Sequence, residues 1–195
     1  LYDGSGAPPV ASDVLIDNGK IAKIGPHGSI KAANAKKIDA KNHWVTPGFI
    51  DTHTHYDAEL ALAPGLTESV RHSVTSIVVG SCSVSFVSSE PENSSDMFTR
   101  VEAVPREIVL PLLKKVKKWN SPAGYRAWID KHPLGPNVAS FIGHSDLRAR
   151  AMGLMRSVSG VRPAESEQKF METHLSEALD CGFLGMSCMT NPWDR

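Results

Sequence analysis

From residue 47 onward the chain alternates short apolar runs with stretches of helical character, and this alternation limits the folds open to it. Thr75-Ser76-Ile77-Val78-Val79 is a continuous, largely β-branched run, the mark of a strand buried on both faces. Phe49-Ile50, read as part of a buried strand, Asn137 to Ile142 and Phe183 to Ser187 are further strand candidates. Between them lie helical stretches over Thr67 to His72, Pro105 to Lys118, Ser121 to Lys131 and Pro163 to Cys181. Their ends carry the expected signals: Pro105 in a first turn with lysines late, Ser121-Pro122 as cap and first position, and Gly182 just past the last helix. In that last helix Phe170, Met171, Leu175, Ala178 and Leu179 share one stripe, so the methionine is core and His174 is read as structural. Lys114, Lys115, Lys117 and Lys118 read as a solvated face. Residues 88–104 are polar and without period, and read as a long loop of the kind that serves as a lid. Strand and helix alternating in this way predict an α/β fold with a mainly parallel sheet; a doubly wound sheet and a barrel are both open.

Residues 1–46 differ. Asp13 to Ile16 and Lys20 to Gly25 flank Asn18-Gly19, a strong two-residue hairpin signal. Lys37 to Ala40 and His43 to Val45 could add two short strands. The expected organisation is an incomplete small β domain over 1–46, followed by an incomplete α/β domain over 47–195. His27 and His43 fall in turns and are expected to be solvated.

Composition narrows the function. Of 195 residues, 41% are hydrophobic and 22% charged, an ordinary globular balance. The formal net charge is zero, which implies no general affinity for nucleic acid or an anionic membrane. No apolar run approaches a membrane span. Three widely spaced cysteines argue against a disulfide framework and for a reducing, cytoplasmic setting. No Gly-x-Gly-x-x-Gly or Walker-type loop supports nucleotide binding. The chain opens on Leu1 and closes on the loop-like Asn191 to Arg195, and a fragment of a longer protein is expected. The oligomeric state is open.

The chemistry concentrates in Pro47-Gly48-Phe49-Ile50-Asp51-Thr52-His53-Thr54-His55. Side chains two apart on a strand share a face, so His53 and His55, with Asp51 below, are expected to look into one cavity. Paired imidazoles suit zinc, iron, nickel or copper rather than magnesium or calcium. Cys82, past the end of the next strand, would add a thiolate and make the set zinc-like. His53, His55, Cys82 and His144 all fall just beyond strand ends, where the site of a β/α barrel lies. Cys181 and Cys188 read as structural.

Pro47-Gly48-Phe49-Ile50-Asp51-x-His53-x-His55-x-Asp57 resembles the first-strand signature of the amidohydrolase superfamily. Val78 to Ser85, containing Gly80-Ser81-Cys82-Ser83, is similar to the branch of D-aminoacylases, the N-acyl-D-amino-acid deacylases. Val14 to Ile21, Phe98 to Pro105 and Gly143 to Arg148 also look like segments of that family, so the resemblance covers essentially the whole chain. It implies a (β/α)8 barrel of the TIM type, of which residues 47–195 would be the first four β/α units, with a small β-sandwich to which residues 1–46 belong. It implies zinc-dependent hydrolysis of the amide bond of a small-molecule N-acyl amino acid, with hydroxide on zinc attacking the carbonyl and a carboxylate moving the proton. His53, His55 and Cys82 carry over as metal ligands; His144, Asp51 and Asp57 are placed near the substrate or behind the ligands. One tight zinc and a second, weaker site are both compatible with this set. The family's two further histidine ligands and its catalytic Asp come from later strands, beyond residue 195, so no catalytic residue is assigned here and the chain alone is expected to be inactive. His27, His43, His72, His132 and His174 sit in the wrong elements to substitute. Two alternatives remain. One is a cyclic amide hydrolase like dihydroorotase or hydantoinase, against which Cys82 weighs. The other is a non-catalytic scaffold of the same fold, against which retention of the three ligands weighs.

Overall fold

Asn18 and Gly19 both take positive φ (49° and 72°), as the tight turn between two twisted antiparallel strands requires. They join β1 (Ser12–Asp17) to β2 (Lys20–Pro26), with a register shift between Leu15 and Ile16. The computed structural model describes residues 1–189; Asn191 to Arg195, read above as a loop, lie outside the described residues. Contacts divide the chain into two units, Leu1–Gly48 and Phe49–Arg195. In the first, β1 and β2 make the only sheet among the described residues, and the strands expected over 37–40 and 43–45 do not form. Asn42 turns the chain with φ 63°, and the backbone bonds of the segment are a local turn, His43 N–H to the Ala40 carbonyl (3.0 Å), and Tyr2 N–H to the Val45 carbonyl (2.8 Å). Runs this short hold as strands only with a neighbour to pair with. His27 is exposed against Asp13 (3.0 Å), and His43 is also exposed.

The second unit is a mixed α/β arrangement. β3 (Phe49–Asp51) is followed by α1 (Asp57–Leu62) and α2 (Thr67–Arg71), then β4 (Val74–Val79). Three helices follow, α3 (Pro91–Glu102), α4 (Arg106–Val116) and α5 (Pro122–Ile129). Next come β5 (Asn137–Ser140), β6 (Ile142–Gly143), α6 (His144–Met152), α7 (Leu154–Ser157), α8 (Glu165–Asp180) and β7 (Met186–Ser187). β3, β4 and β5 form a parallel sheet in that order, and β6 pairs in parallel with β7. Adjacent parallel strands need crossovers, and the helices supply them.

Several expectations are corrected here. The run over 137–142 is two strands: at Phe141 the chain leaves β4, and Ile142 N–H bonds the Gly185 carbonyl of the second ladder (3.0 Å). Residues 88–104 are not a long loop, because 91–102 fold as α3. Pro91 starts that helix, and Ser94, Ser95, Met97 and Phe98 are buried along one side. Serines at buried positions hid the apolar face from a hydropathy reading. Asp57 to Leu62, which lies outside the expected helical stretches, is α1, with Leu60 and Ala61 buried. β4 buries Ile77 and Val79 fully, but its other face is only half covered. Phe49 and Ile50, expected to be buried, are 60% and 64% exposed, since β3 lies at one edge of its sheet.

The core lies where β4 and the segment after it meet the helices. Phe86 and Trp119 pack edge to face (5.3 Å), and Trp119 packs likewise on Tyr125. Leu60, Phe98, Leu113 and Leu147 close around them. The Trp119 indole N–H reaches the Val87 carbonyl (3.1 Å), satisfying its polar handle inside the core. Lys117, read as part of a solvated face, instead tucks inward. Its ammonium donates to the same carbonyl (3.0 Å) and lies 5.0 Å from the Phe86 ring centre.

Candidate metal centre

Asp51 closes β3 opposite Ile77 of β4. Its carboxylate accepts the His53 backbone N–H (3.3 Å) as the chain leaves the strand. The histidines therefore lie just past the strand end, as expected, where strand alternation alone no longer fixes their direction. Their common direction survives because Thr54 between them is pinned: its N–H and hydroxyl both donate to the Val78 carbonyl (3.1 and 2.8 Å). With Thr54 turned in towards β4, His53 and His55 keep the two-residue alternation, and their rings stand 5.5 Å apart.

The third donor comes from the neighbouring strand. β4 ends at Val79, Gly80 turns with φ 74°, and Cys82 follows with φ 49°. A side chain at Gly80 would meet the Phe141 carbonyl at 2.1 Å, so only glycine allows the next strand to approach this closely. The turn brings Cys82 Sγ to 3.0 Å from His53 Nε2. One donor atom each from His53, His55 and Cys82 lie within 4.8 Å of one another, and no other such group of three occurs among the described residues. Burial lowers the pKa of His55, with Glu102 opposing and His53 adding to the fall. Neutral imidazole is the form that binds metal. His55 Nδ1 is buried and has no hydrogen-bond partner among the described residues. Two imidazoles, a thiolate-forming cysteine and a buried nitrogen left without a partner fit a zinc-type ion.

The remaining candidates fall around this cluster. Asp57, at the first position of α1, is buried; its Oδ2 accepts the Gly80 N–H (3.2 Å), and Oδ1 is without a partner. Burial pushes its pKa up to about 7. Asp51 is spent on its own turn, and His144 opens α6 half-buried; neither supplies a donor to the cluster. Cys181 and Cys188 are also outside it, and no disulfide forms among the described residues.

Two contributors were not found from sequence. Glu102, at the end of α3, acts electrostatically on His55. Asp146, fully buried in α6, accepts bonds from three backbone amides of the segment following Cys82. An acid in the first turn of a helix reads as ordinary end-charge compensation, so no local signal distinguished it.

A parallel α/β sheet with imidazole and thiol donors gathered past the ends of adjacent strands is the layout of a metal-binding α/β protein. The relatives narrow this class. The whole chain is 47% identical over 195 residues to an uncharacterized protein of Mycobacterium tuberculosis, of which it covers 32%. It is 34% identical over 189 residues to an N-acyl-D-glutamate deacylase of Alcaligenes xylosoxydans, covering 96% of this chain and 35% of that one. Among solved structures, N-acyl-D-glutamate deacylase of Bordetella bronchiseptica, complexed with zinc and a phosphonate mimic of the tetrahedral intermediate, superposes with TM-score 0.73. It is 31% identical and matches 95% of this chain and 36% of that one. A D-aminoacylase, described as defining a novel subset of amidohydrolases, superposes with TM-score 0.74 at 26% identity, matching 97% of this chain and 37% of its own. No protein-family model matches. Over nearly all of its length the chain is homologous to deacylases of the D-aminoacylase branch of the amidohydrolase superfamily, and it spans about a third of the length of the relatives it matches.

Proposed function

We propose that the protein is a zinc-dependent amidohydrolase that removes the acyl group from N-acyl-D-amino acids. In this reading the sheet of β3, β4 and β5 and the ladder of β6 and β7 are early strands of a (β/α)8 barrel, and residues 1–46 are part of a small β-sandwich. The observation that carries the proposal is the convergence of His53, His55 and Cys82 donors within 4.8 Å. They would hold the metal, which when bound supplies Lewis-acid activation of water and of the amide carbonyl. The chain's own contribution is positional. Thr54 fixes the two imidazoles on one side, burial favours the neutral form of His55, and the turn at Cys82 delivers the sulfur. A cyclic amide substrate is the weaker reading, since the dihydroorotase of Mycobacterium tuberculosis matches only 43 residues, 22% of this chain. The three cysteines suit a reducing compartment, and the cytoplasm is the proposed location.

The test is the metal content of the complete gene product, purified without chelator, as wild type and as Cys82→Ala. The expected result is about one tight zinc per chain in wild type and clearly less in the variant. Turnover of N-acyl-D-glutamate, N-acyl-D-aspartate and neutral N-acyl-D-amino acids by the zinc-loaded protein, lost on chelation and restored by zinc, is expected with it. Absence of zinc from both proteins overturns the reading, and equal zinc in both removes Cys82 from the ligand set.

A further inference from the structure

The segment from Ser83 to Ser89 is a loop by its backbone but core by its burial, with every residue at 0–1% exposure. A buried loop must find partners for its amides inside the protein. Asp146, from the first turn of α6 and itself 0% exposed, supplies the partner for three of them. Its Oδ2 accepts the Val87 and Ser88 N–H groups (3.1 and 2.8 Å) and the Ser85 hydroxyl (2.7 Å), and its Oδ1 accepts the Ser89 N–H (2.7 Å). The same two segments are stitched again nearer Cys82. Ser145 N–H donates to the Ser83 hydroxyl (2.7 Å), and Gly143 N–H donates to the Ser85 hydroxyl (3.0 Å). A Cβ at Gly143 would sit 2.3 Å from the Ser83 carbonyl, so the two backbones are in direct contact. The residues held this way immediately follow the turn at Cys82 and Ser83, where two consecutive non-glycine residues adopt positive φ (49° and 70°). Such a turn persists only where its surroundings over-determine it.

We propose that Asp146 is a positioning residue for the metal centre: its carboxylate anchors the segment after β4 and so fixes the left-handed turn that aims Cys82 Sγ at His53. This rests on the reading of Cys82 as a ligand. Asp146 is not a member of the donor cluster; it acts through the backbone that carries one donor.

The experiment compares wild type, Asp146→Asn, Ser85→Ala and Arg148→Met in the complete protein. Arg148 is a buried neighbour on α6 that donates to the Ser157 and Val161 carbonyls, away from the 83–89 segment. Each protein is loaded with cobalt, the thiolate-to-cobalt absorption band is recorded, and zinc affinity is measured by competition with a chelator. Asn at 146 replaces one acceptor oxygen by a donor facing backbone N–H groups. The expected result is a weakened or shifted thiolate band and about ten- to hundred-fold lower zinc affinity. Ser85→Ala, which removes one hydroxyl bond to Asp146, moves both readouts the same way by less. Arg148→Met lowers thermal stability yet leaves band and affinity as in wild type. Wild-type band and affinity in Asp146→Asn overturn the proposal; if that variant does not fold, wild-type values in Ser85→Ala do so instead. If wild type itself shows no thiolate band, Cys82 is not a ligand and the proposal falls, whereas the functional reading falls only if the protein also binds no zinc.

Discussion

At the residue scale, two side chains are held in conditions they would not choose in water, and the reasons differ. Cys82 and the adjacent Ser83 bear left-handed backbone, which costs a non-glycine residue roughly 1–2 kcal/mol. The return is geometric, because the turn brings sulfur from β4 to imidazole from β3, while strands that stay extended carry their side chains up and down rather than sideways. Lys117 is strained electrostatically. Burial between Phe86, Trp119 and the Val87 carbonyl lowers its pKa from the ordinary 10.5 to about 8, with Asp146 and Glu90 opposing the fall. The sign of the pH dependence follows. Below pH 8 the lysine is charged in both folded and unfolded chains, and the cost of burying charge is paid in full. Between about 8 and 10.5 the unfolded chain keeps the proton that the folded chain has released, so stability from this group rises with pH across that window. Replacing Lys117 by Met removes the effect. Urea midpoints measured across the window for both proteins should differ in slope, with the wild-type midpoint gaining on the variant as pH rises. Parallel profiles would mean that the ammonium is solvated in the folded protein.

At the element scale, α3 shows how far packing can override composition. Its sequence, Pro91 to Glu102, carries four charged residues and two serines that end up buried, so no hydrophobic period announces it. What holds it is a short apolar edge, Met97 and Phe98, seated against the core, while Lys114 of α4 pairs with Glu92 in its first turn. That exposed pair adds little, so the weight rests on Phe98, 2% exposed. Phe98→Ala should cost about 3–5 kcal/mol of unfolding free energy by denaturant titration, and a loss below about 1 kcal/mol would show that α3 is merely laid on the surface. The hairpin at Asn18-Gly19, the β4 run and the helix ending before Gly182 were legible because each is fixed by local chemistry: positive φ at the turn, β-branching and a C-terminal glycine. The strands expected over 37–45 and the burial expected for Phe49 and Ile50 depend on neighbours, which a local pattern does not contain. The same division runs through the candidate site. His53, His55 and Cys82 were visible as donor types near strand ends, whereas Asp146 became visible only when 59 positions of chain had closed between Val87 and its carboxylate.

At the scale of the whole molecule, the question is what the exposed apolar surface implies. Phe49 and Ile50 on β3 are 60% and 64% exposed, and β3 is an outer strand with unpaired backbone groups along one side. Separately, the hairpin of β1 and β2 exposes Ile16 and Ile21 by 67% and 66%. Single exposed apolar residues are ordinary, but an apolar edge strand offers both hydrogen bonds and greasy contact to another chain. Proteins blunt such edges with charge, bulges or cover; among the described residues β3 carries one acid, Asp51, whose carboxylate is occupied by its own turn. The relatives are about three times longer, so they have ample chain with which to cover the corresponding edge. The 195-residue chain on its own is therefore expected to self-associate, with a weight-average mass in sedimentation velocity that climbs with concentration. Phe49→Lys should reduce this, because an inward-pairing strand would have to desolvate the ammonium at the junction. The complete protein should show no such concentration dependence arising from β3. A monodisperse monomer for the 195-residue chain would place the cover for β3 within the chain itself, and Phe49→Lys would then act on stability rather than on association.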